Sequence, residues 1–247
     1  MTHRLAPWSR RWPLALARAL LPSACALCCG RSQGALCAPC EQQFCALTRA
    51  RCRRCANPME AAAARWPCGT CQAQKPAYDA TLVAADYAAP LDQLVLQLKF
   101  GAVLALAPWC ADALRKAVLA QPGFALPNIM CPVPLGAQRL RERGFNQALE
   151  IARPLSRALG IPLRAALAIR ALETRAQSGV APGERKANIR NAFIVAPDAL
   201  NLVRGQHIGI VDDVMTSGHT LDELAATFKR FGAARVSNLV FARTPPH

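Results

Sequence analysis

The run Ile208-Gly209-Ile210-Val211-Asp212-Asp213-Val214-Met215-Thr216-Ser217-Gly218-His219-Thr220 decides the fold. Ile208–Val211 reads as a short buried strand. It runs into a turn that is acidic first and then rich in small hydroxyl residues, and Thr220–Phe231 follows with helical periodicity, closed by Gly232. A buried strand feeding such a turn and then a helix is the βα unit of an open parallel sheet, whose ligands lie beyond the carboxyl ends of the strands. The amides and hydroxyls of the loop, backed by a helix N-terminus, suit a phosphate dianion. Gly218 permits positive φ and close backbone approach. Asp212 and Asp213 would repel that phosphate, so they must face another part of the ligand, such as ribose hydroxyls or a Mg²⁺ ion. A plain strand–turn–helix capped by Thr220 accounts for Gly218 and Thr220. It does not account for two adjacent carboxylates at a buried strand's end, where an unpaired charge is costly.

Working outward, Ala80–Ala85, Ile129–Val133 and Val236–Phe241 read as further strands. Leu91, Leu94, Val95 and Leu98 recur at helical spacing. Ala102–Leu119 continues as a helix that Pro108 starts or kinks, and Asn146–Leu159 is helical despite Pro154, stopping at Gly160. The expected fold is α/β, a doubly wound parallel sheet over residues 76–247. Within it Arg139, Arg141, Arg143 and Asn146 follow the turn Pro132–Leu135. Guanidinium groups donate paired hydrogen bonds and suit pyrophosphate, although a solvated basic helix face has the same composition. Lys99 ends an apolar helix, where it either reaches the same anion or snorkels to water. Gln177–Asn191, with Arg185, Lys186, Asn188 and Arg190, has the composition of a mobile loop over a site.

Ten of the twelve cysteines fall within residues 23–75. Eight form C-x-x-C pairs: Cys25/Cys28, Cys37/Cys40, Cys52/Cys55 and Cys68/Cys71. Two such knuckles complete a tetrahedron of thiolates, so four of them fit two structural Zn²⁺ sites, paired either sequentially or interleaved. A redox-active C-x-x-C usually occurs once, at a helix start. With few large apolar side chains in this region, metal must supply much of its folding free energy, on the order of 10 kcal/mol per site. Cys29, Cys45, Cys110 and Cys131 read as small buried hydrophobes.

The 247 residues are 53% hydrophobic, which excludes a disordered chain. The net charge is +15, and it is uneven: residues 1–75 hold 11 Lys/Arg against 2 Asp/Glu, a net of +9. That imbalance points to a polyanionic partner, although an Arg-rich surface has other origins. Residues 1–22 form a basic amphipathic segment with Leu14, Leu20 and Leu21 on one face; Arg18 interrupts its apolar stretch, so a secretory signal or membrane span is not expected. The expected organisation is 1–22 as that segment, 23–75 as a double zinc ribbon and 76–247 as the α/β domain. The expected location is the cytoplasm, without stable membrane insertion.

These residues carry a resemblance. The run VDDVMTSGHT (211–220) resembles the 5-phosphoribosyl-1-pyrophosphate (PRPP) signature of type I phosphoribosyltransferases. With the cysteine knuckles, Leu98-Lys99-Phe100, Pro132–Leu135, RLRERGFNQ (139–147) and QSGVAPGERKANIRN (177–191), the chain resembles the ComF family, competence-associated proteins that include GntX-like members. Ser217 stands where many relatives have Thr, and the hydroxyl is retained. The resemblance implies that Asp212 and Asp213 contact the ribose hydroxyls as the catalytic pair. It implies a PRPP site of Val214, Met215, Thr216, Ser217, Gly218, His219 and Thr220 with Lys99, Arg139 and Arg143, and Mg²⁺ accompanying PRPP. Two functions follow as expectations. One is transfer of a phosphoribosyl group to an unidentified acceptor, linked to DNA uptake or DNA processing. The other is a non-catalytic factor that binds single-stranded DNA and DNA-processing proteins, its PRPP site a sensor or a relic.

Overall fold

The computed structural model describes residues 23–45, 50–61, 66–171 and 192–245. The segment expected over residues 1–22 and the basic stretch 177–191 lie outside the described residues. By compactness the chain divides into two units, Met1–Phe44 and Cys45–His247.

In the first unit, β1 (Ser23–Ala24) pairs antiparallel with β2 (Arg31–Ser32), and α1 (Ala38–Cys45) begins there. In the second, α2 (Gly69–Gln74) precedes β3 (Ala80–Asp86), α3 (Leu91–Phe100), α4 (Leu106–Ala120) and β4 (Ile129–Pro132). The chain continues through α5 (Ala137–Arg143), α6 (Gln147–Leu159), β5 (Ala168–Arg170) and β6 (Phe193–Val195). A 3₁₀ turn and α7 (Leu200–Val203) lead to β7 (His207–Met215), α8 (His219–Arg230) and β8 (Arg235–Arg243). Among the described residues the main sheet runs β3-β8-β7-β4 with every pairing parallel, while β5 and β6 form a separate antiparallel pair.

The strands and helices expected from periodicity are present. The four residues of α3 at helical spacing, Leu91, Leu94, Val95 and Leu98, are all buried, whereas Leu96 and Phe100 are exposed. Pro108 falls in the first turn of α4, where its missing N–H has no intrahelical bond to lose. Successive side chains of β8 face opposite ways. Val240 joins Leu221, Leu224 and Phe228 of α8 in one buried cluster, whereas Phe241 meets Trp109 of α4 edge-on, ring centroids 5.1 Å apart. Helices therefore cover both faces of the sheet.

Two sequence expectations need correction. The acidic pair does not lie in a turn: β7 runs on to Met215 because β8 stays paired with it, Asp212 opposite Val240 and Met215 opposite Arg243. Cys110 and Cys131 are buried as expected, but Cys29 is exposed and Cys45 only half-buried. Cys29 follows directly on the Cys25–Cys28 knuckle at φ 59°, its N–H turned back onto Cys25 O at 3.0 Å, and this turn carries its side chain outward. No helix among the described residues is long and apolar enough to cross a membrane.

Candidate active site

β7 outruns β4 at the carboxyl edge of the sheet: Val133 N–H still donates to Val211 O at 2.9 Å, and beyond that point Asp212 and Asp213 have no β4 residue beside them. A cavity of about 250 Å³ opens there, the position at which parallel sheets bind ligands. Asp212, Asp213, Thr216 and Thr220 line it on one side, and Lys99, Arg139, Arg143 and Arg170 supply its positive charge.

The two carboxylates have different surroundings. Lys99 Nζ lies 2.6 Å from Asp213 Oδ2, with 20% of the Lys99 side chain and 4% of the Asp213 side chain exposed. This contact is an ion pair rather than an aligned hydrogen bond, so Oδ2 keeps acceptor capacity for a ligand. Gln147 Nε2 donates to Asp213 Oδ1 at 3.4 Å, and Arg143 Nη1 donates to Gln147 Oε1 at 3.0 Å. The Arg143 guanidinium also covers the Phe100 ring at 4.9 Å. Asp212 Oδ1 accepts the N–H of Asp213 at 2.9 Å. Burial, and then the adjacent Asp213 charge, push the Asp212 carboxyl well above the usual carboxylate range. Asp213, by contrast, has the Lys99 ammonium beside it as a counter-charge.

Local folding sets these positions. The apolar stripe of α3 buries Leu91, Leu94, Val95 and Leu98, leaving Lys99 at the edge from which it reaches Asp213. Asn146 caps α6: its Oδ1 accepts from Ala148 and Leu149 N–H, and its Nδ2 donates to Val133 O at 3.0 Å, tying Gln147 to the turn after β4. Gly144, at φ 76°, ends α5 just after Arg143. Arg139 and Arg143 line the cavity, whereas Arg141 donates back to Ala137 O on its own helix.

Residues Met215–Leu221, with Asp212 and Val214, surround a smaller cavity of about 30 Å³ where β7 passes into α8. Gly218 at φ 83° is the N-cap of α8, with no side-chain cap on the first amides. A Cβ at Gly218 would lie 2.5 Å from Met215 Cε and 3.3 Å from the Tyr78 hydroxyl, so a side chain there would collide with Met215. Arg243 holds the other side of this turn: Nη1 donates to Met215 O at 3.0 Å and to Thr216 O, while Nε donates to Cys55 O at 3.2 Å.

The eight knuckle cysteines assemble as Cys25, Cys28, Cys37 and Cys40, and as Cys52, Cys55, Cys68 and Cys71, which is the sequential pairing; within each set all sulfurs lie within 4.8 Å of one another. Sulfurs bound to one tetrahedral zinc at about 2.3 Å stand about 3.8 Å apart. The observed separations are 3.6 Å for Cys28–Cys37, 3.5 Å for Cys55–Cys68 and 4.0 Å for Cys52–Cys71, so both sets fit zinc. Cys52 is already disposed to be a thiolate: the Cys55 thiol, helped against burial by the N–H groups of Cys68, Cys55 and Arg54, brings it to about 4. The first set belongs to the unit ending at Phe44. The second belongs to the unit of the sheet, and Cys52, Cys55 and Cys71 share a buried cluster with Tyr78, Met215 and Leu221.

Four residues of this region were not singled out from the sequence: Tyr87, Gln147, Arg170 and Arg243. Tyr87 and Arg170 each stand just beyond or at the end of a strand, a signal that strand assignment alone would have supplied for Tyr87. Gln147 carried no charge to draw attention. Arg243 belongs to no motif that the sequence shows.

A family model described as phosphoribosyl transferase domain matches residues 146–246. DNA utilization protein YhgH of Escherichia coli (strain K12) is 36% identical over 197 residues, covering 78% of this chain and 84% of that protein. Competence protein F of Haemophilus influenzae is 30% identical over 215 residues, covering 86% and 92%. Among solved structures, the allosteric regulatory enzyme of purine biosynthesis matches with a TM-score of 0.33 and 18% identity over 54% of this chain and 25% of that one. The hypoxanthine-guanine phosphoribosyl transferase of L. donovani matches with a TM-score of 0.32 and 20% identity over 56% and 66%.

Proposed function

Since this chain belongs to the ComF family of phosphoribosyltransferase-domain proteins, we propose that it binds PRPP between Asp212/Asp213 and the 215–220 loop and transfers the phosphoribosyl group to an acceptor. The observation that carries the reading is the carboxylate pair at the end of β7, beside a loop of positive-φ glycine and hydroxyls and opposite four cationic side chains. The 5′-phosphate takes the loop amides and the hydroxyls of Thr216, Ser217 and Thr220. The ribose hydroxyls take Asp212 and Asp213. Burial favours the neutral form of Asp212, and Lys99 stands beside Asp213, so the pair can meet a diol without two uncompensated charges beside the sugar.

In the transfer, the bond from the anomeric carbon to the pyrophosphate oxygen breaks, the electron pair leaves with pyrophosphate, and the acceptor's lone pair forms the new bond. Arg139, Arg143 and Arg170 face the departing charge, and Lys99 stands between Asp213 and that side of the cavity. Mg²⁺ bound with PRPP would neutralise further pyrophosphate charge, with Asp213 Oδ2, which retains acceptor capacity, as its protein donor. Zn²⁺ in the two cysteine sets is structural in this reading, and residues 23–75 and 76–247 are its ribbon and transferase regions. The names of the two curated relatives support a role in DNA use or uptake, and the +9 balance of residues 1–75 favours a single-stranded DNA partner; the cytoplasm is the location that goes with this reading. Calorimetric titration with Mg²⁺–PRPP tests the site directly: saturable binding is expected, and no heat at millimolar PRPP refutes it. A screen for pyrophosphate release with nucleobases, amines and single-stranded DNA then separates a transferase from a PRPP sensor.

A further inference from the structure

We propose that Arg243 is a positioning residue that couples metal occupancy of the Cys52/Cys55/Cys68/Cys71 set to the phosphate affinity of the 215–220 loop, an inference that rests on the PRPP reading above. One rigid guanidinium bridges the two sites. Its Nε donates to the carbonyl of Cys55, a residue of the metal set, and its Nη1 donates to the carbonyls of Met215 and Thr216, where β7 turns into the loop. The side chain is buried, so water offers it no alternative partners.

Two further links join the same parts. The Tyr78 hydroxyl approaches Gly218 and packs in the cluster that holds Cys52, Cys55 and Cys71. Ala77 N–H donates to Asp222 Oδ1 at 2.6 Å and so fixes the first turn of α8. The segment from Cys68 to Tyr78 therefore supports the loop from below while Arg243 holds its carbonyls. On the far side, Arg53 O accepts from Thr81 N–H at 3.0 Å, and Arg51 pairs with Asp86 at 2.8 Å, anchoring the knuckle to β3.

The physical consequence is a linkage. Four thiolates on one zinc carry a net charge of −2, which favours the buried guanidinium, and the metal bonds hold the Cys55 carbonyl in place. Without metal, the knuckle is no longer clamped, and the guanidinium loses a fixed acceptor. The carbonyls of Met215 and Thr216 are then free to turn, and the amides that follow them leave the geometry that a phosphate requires. Coupling of this kind is reciprocal: zinc raises PRPP affinity by the factor by which PRPP raises zinc affinity.

The test uses the full chain. The zinc affinity of each site is measured by competition with a colorimetric chelator of known affinity, with and without saturating Mg²⁺–PRPP, and PRPP affinity is measured by calorimetry on protein with two zinc ions or with the weaker one removed. Expected is a rise of roughly tenfold in the affinity of one zinc site on PRPP binding, with an equal fall in PRPP affinity when that zinc is removed. Arg243→Met is expected to abolish this coupling while both ligands still bind, and Arg243→Lys to restore part of it. PRPP binding that leaves both zinc affinities unchanged overturns the inference alone, as does full coupling in Arg243→Met. Absence of PRPP binding to the zinc-loaded protein overturns the reading beneath it as well. The wild-type measurement decides even if the Met variant fails to fold, and Tyr78→Phe provides a milder second variant, expected to weaken the coupling.

Discussion

Replacing Asp212 and Asp213 singly by Asn separates two carboxylates that adjoin in sequence but differ in their surroundings. Asp213 holds Lys99 at 2.6 Å in a nearly buried pair, so Asp213→Asn leaves the ammonium without its counter-charge. Removing one partner of a fully buried pair costs about 3–5 kcal/mol; Lys99 is one-fifth exposed and retains some water, so about 1–3 kcal/mol is expected, or roughly 2–12 °C in melting temperature for a unit of this size. Asp212→Asn acts in the opposite direction. The folded pKa of Asp212 is raised above its unfolded value of about 3.9, so between the two values the folded protein holds a proton that the unfolded chain has released. The contribution of Asp212 is therefore complete below about pH 4 and is lost progressively as pH rises toward the folded pKa. Asn has no such loss, so the melting temperature of Asp212→Asn should equal that of the wild type below about pH 4 and exceed it by a margin that grows as pH rises toward the folded pKa of Asp212. Both variants lose a hydrogen bond to a ribose hydroxyl, about 1.5–3 kcal/mol if charge-assisted, which lowers PRPP affinity roughly 10- to 150-fold. The assay is a thermal melt at several pH values beside PRPP calorimetry. An Asp212→Asn protein that melts below the wild type at every pH would show that carboxyl to be structural, and wild-type PRPP affinity in both variants would refute the site.

Gly218→Ala should lower both melting temperature and PRPP affinity, because φ 83° is strained for a side chain and the new Cβ meets Met215; unchanged melting would show that the loop accommodates it. Metal analysis should find two zinc ions per chain. Cys52→Ser/Cys55→Ser should then depress the main melting transition by roughly 10 °C or more, whereas Cys25→Ser/Cys28→Ser, in the other compact unit, should depress it less; equal effects would contradict the different placement of the two sets. Single-stranded DNA should bind with strong salt dependence, and Trp66→Ala, which removes a side chain 73% exposed, should cost about 1–3 kcal/mol; binding indifferent to salt or to loss of residues 1–75 would exclude that region as the contact.

The sequence by itself determined the four strands of the main sheet and the helices α3, α4, α6 and α8, since periodicity is a local property; the short strands β5 and β6 carry too few residues to show one. It also picked out the segment that lines the two cavities and the eight cysteines that assemble into two sets, because acidic-then-glycine and C-x-x-C patterns place their residues within a few positions of one another. Pairing between distant parts was decided by the tertiary structure. Lys99 was equally compatible with water until β7 brought Asp213 to it across 114 residues, and the sequential and interleaved cysteine sets have identical spacing until the chain path assembles one of them. The length of β7 depended on its partner, for Asp212 and Asp213 remain in a strand only because β8 extends alongside them. Arg243 shows the difference most plainly. Near the end of the chain it is one basic residue among many, and only the parallel pairing of β8 with β7 delivers its guanidinium to the point where Met215, Thr216 and Cys55 present their carbonyls together.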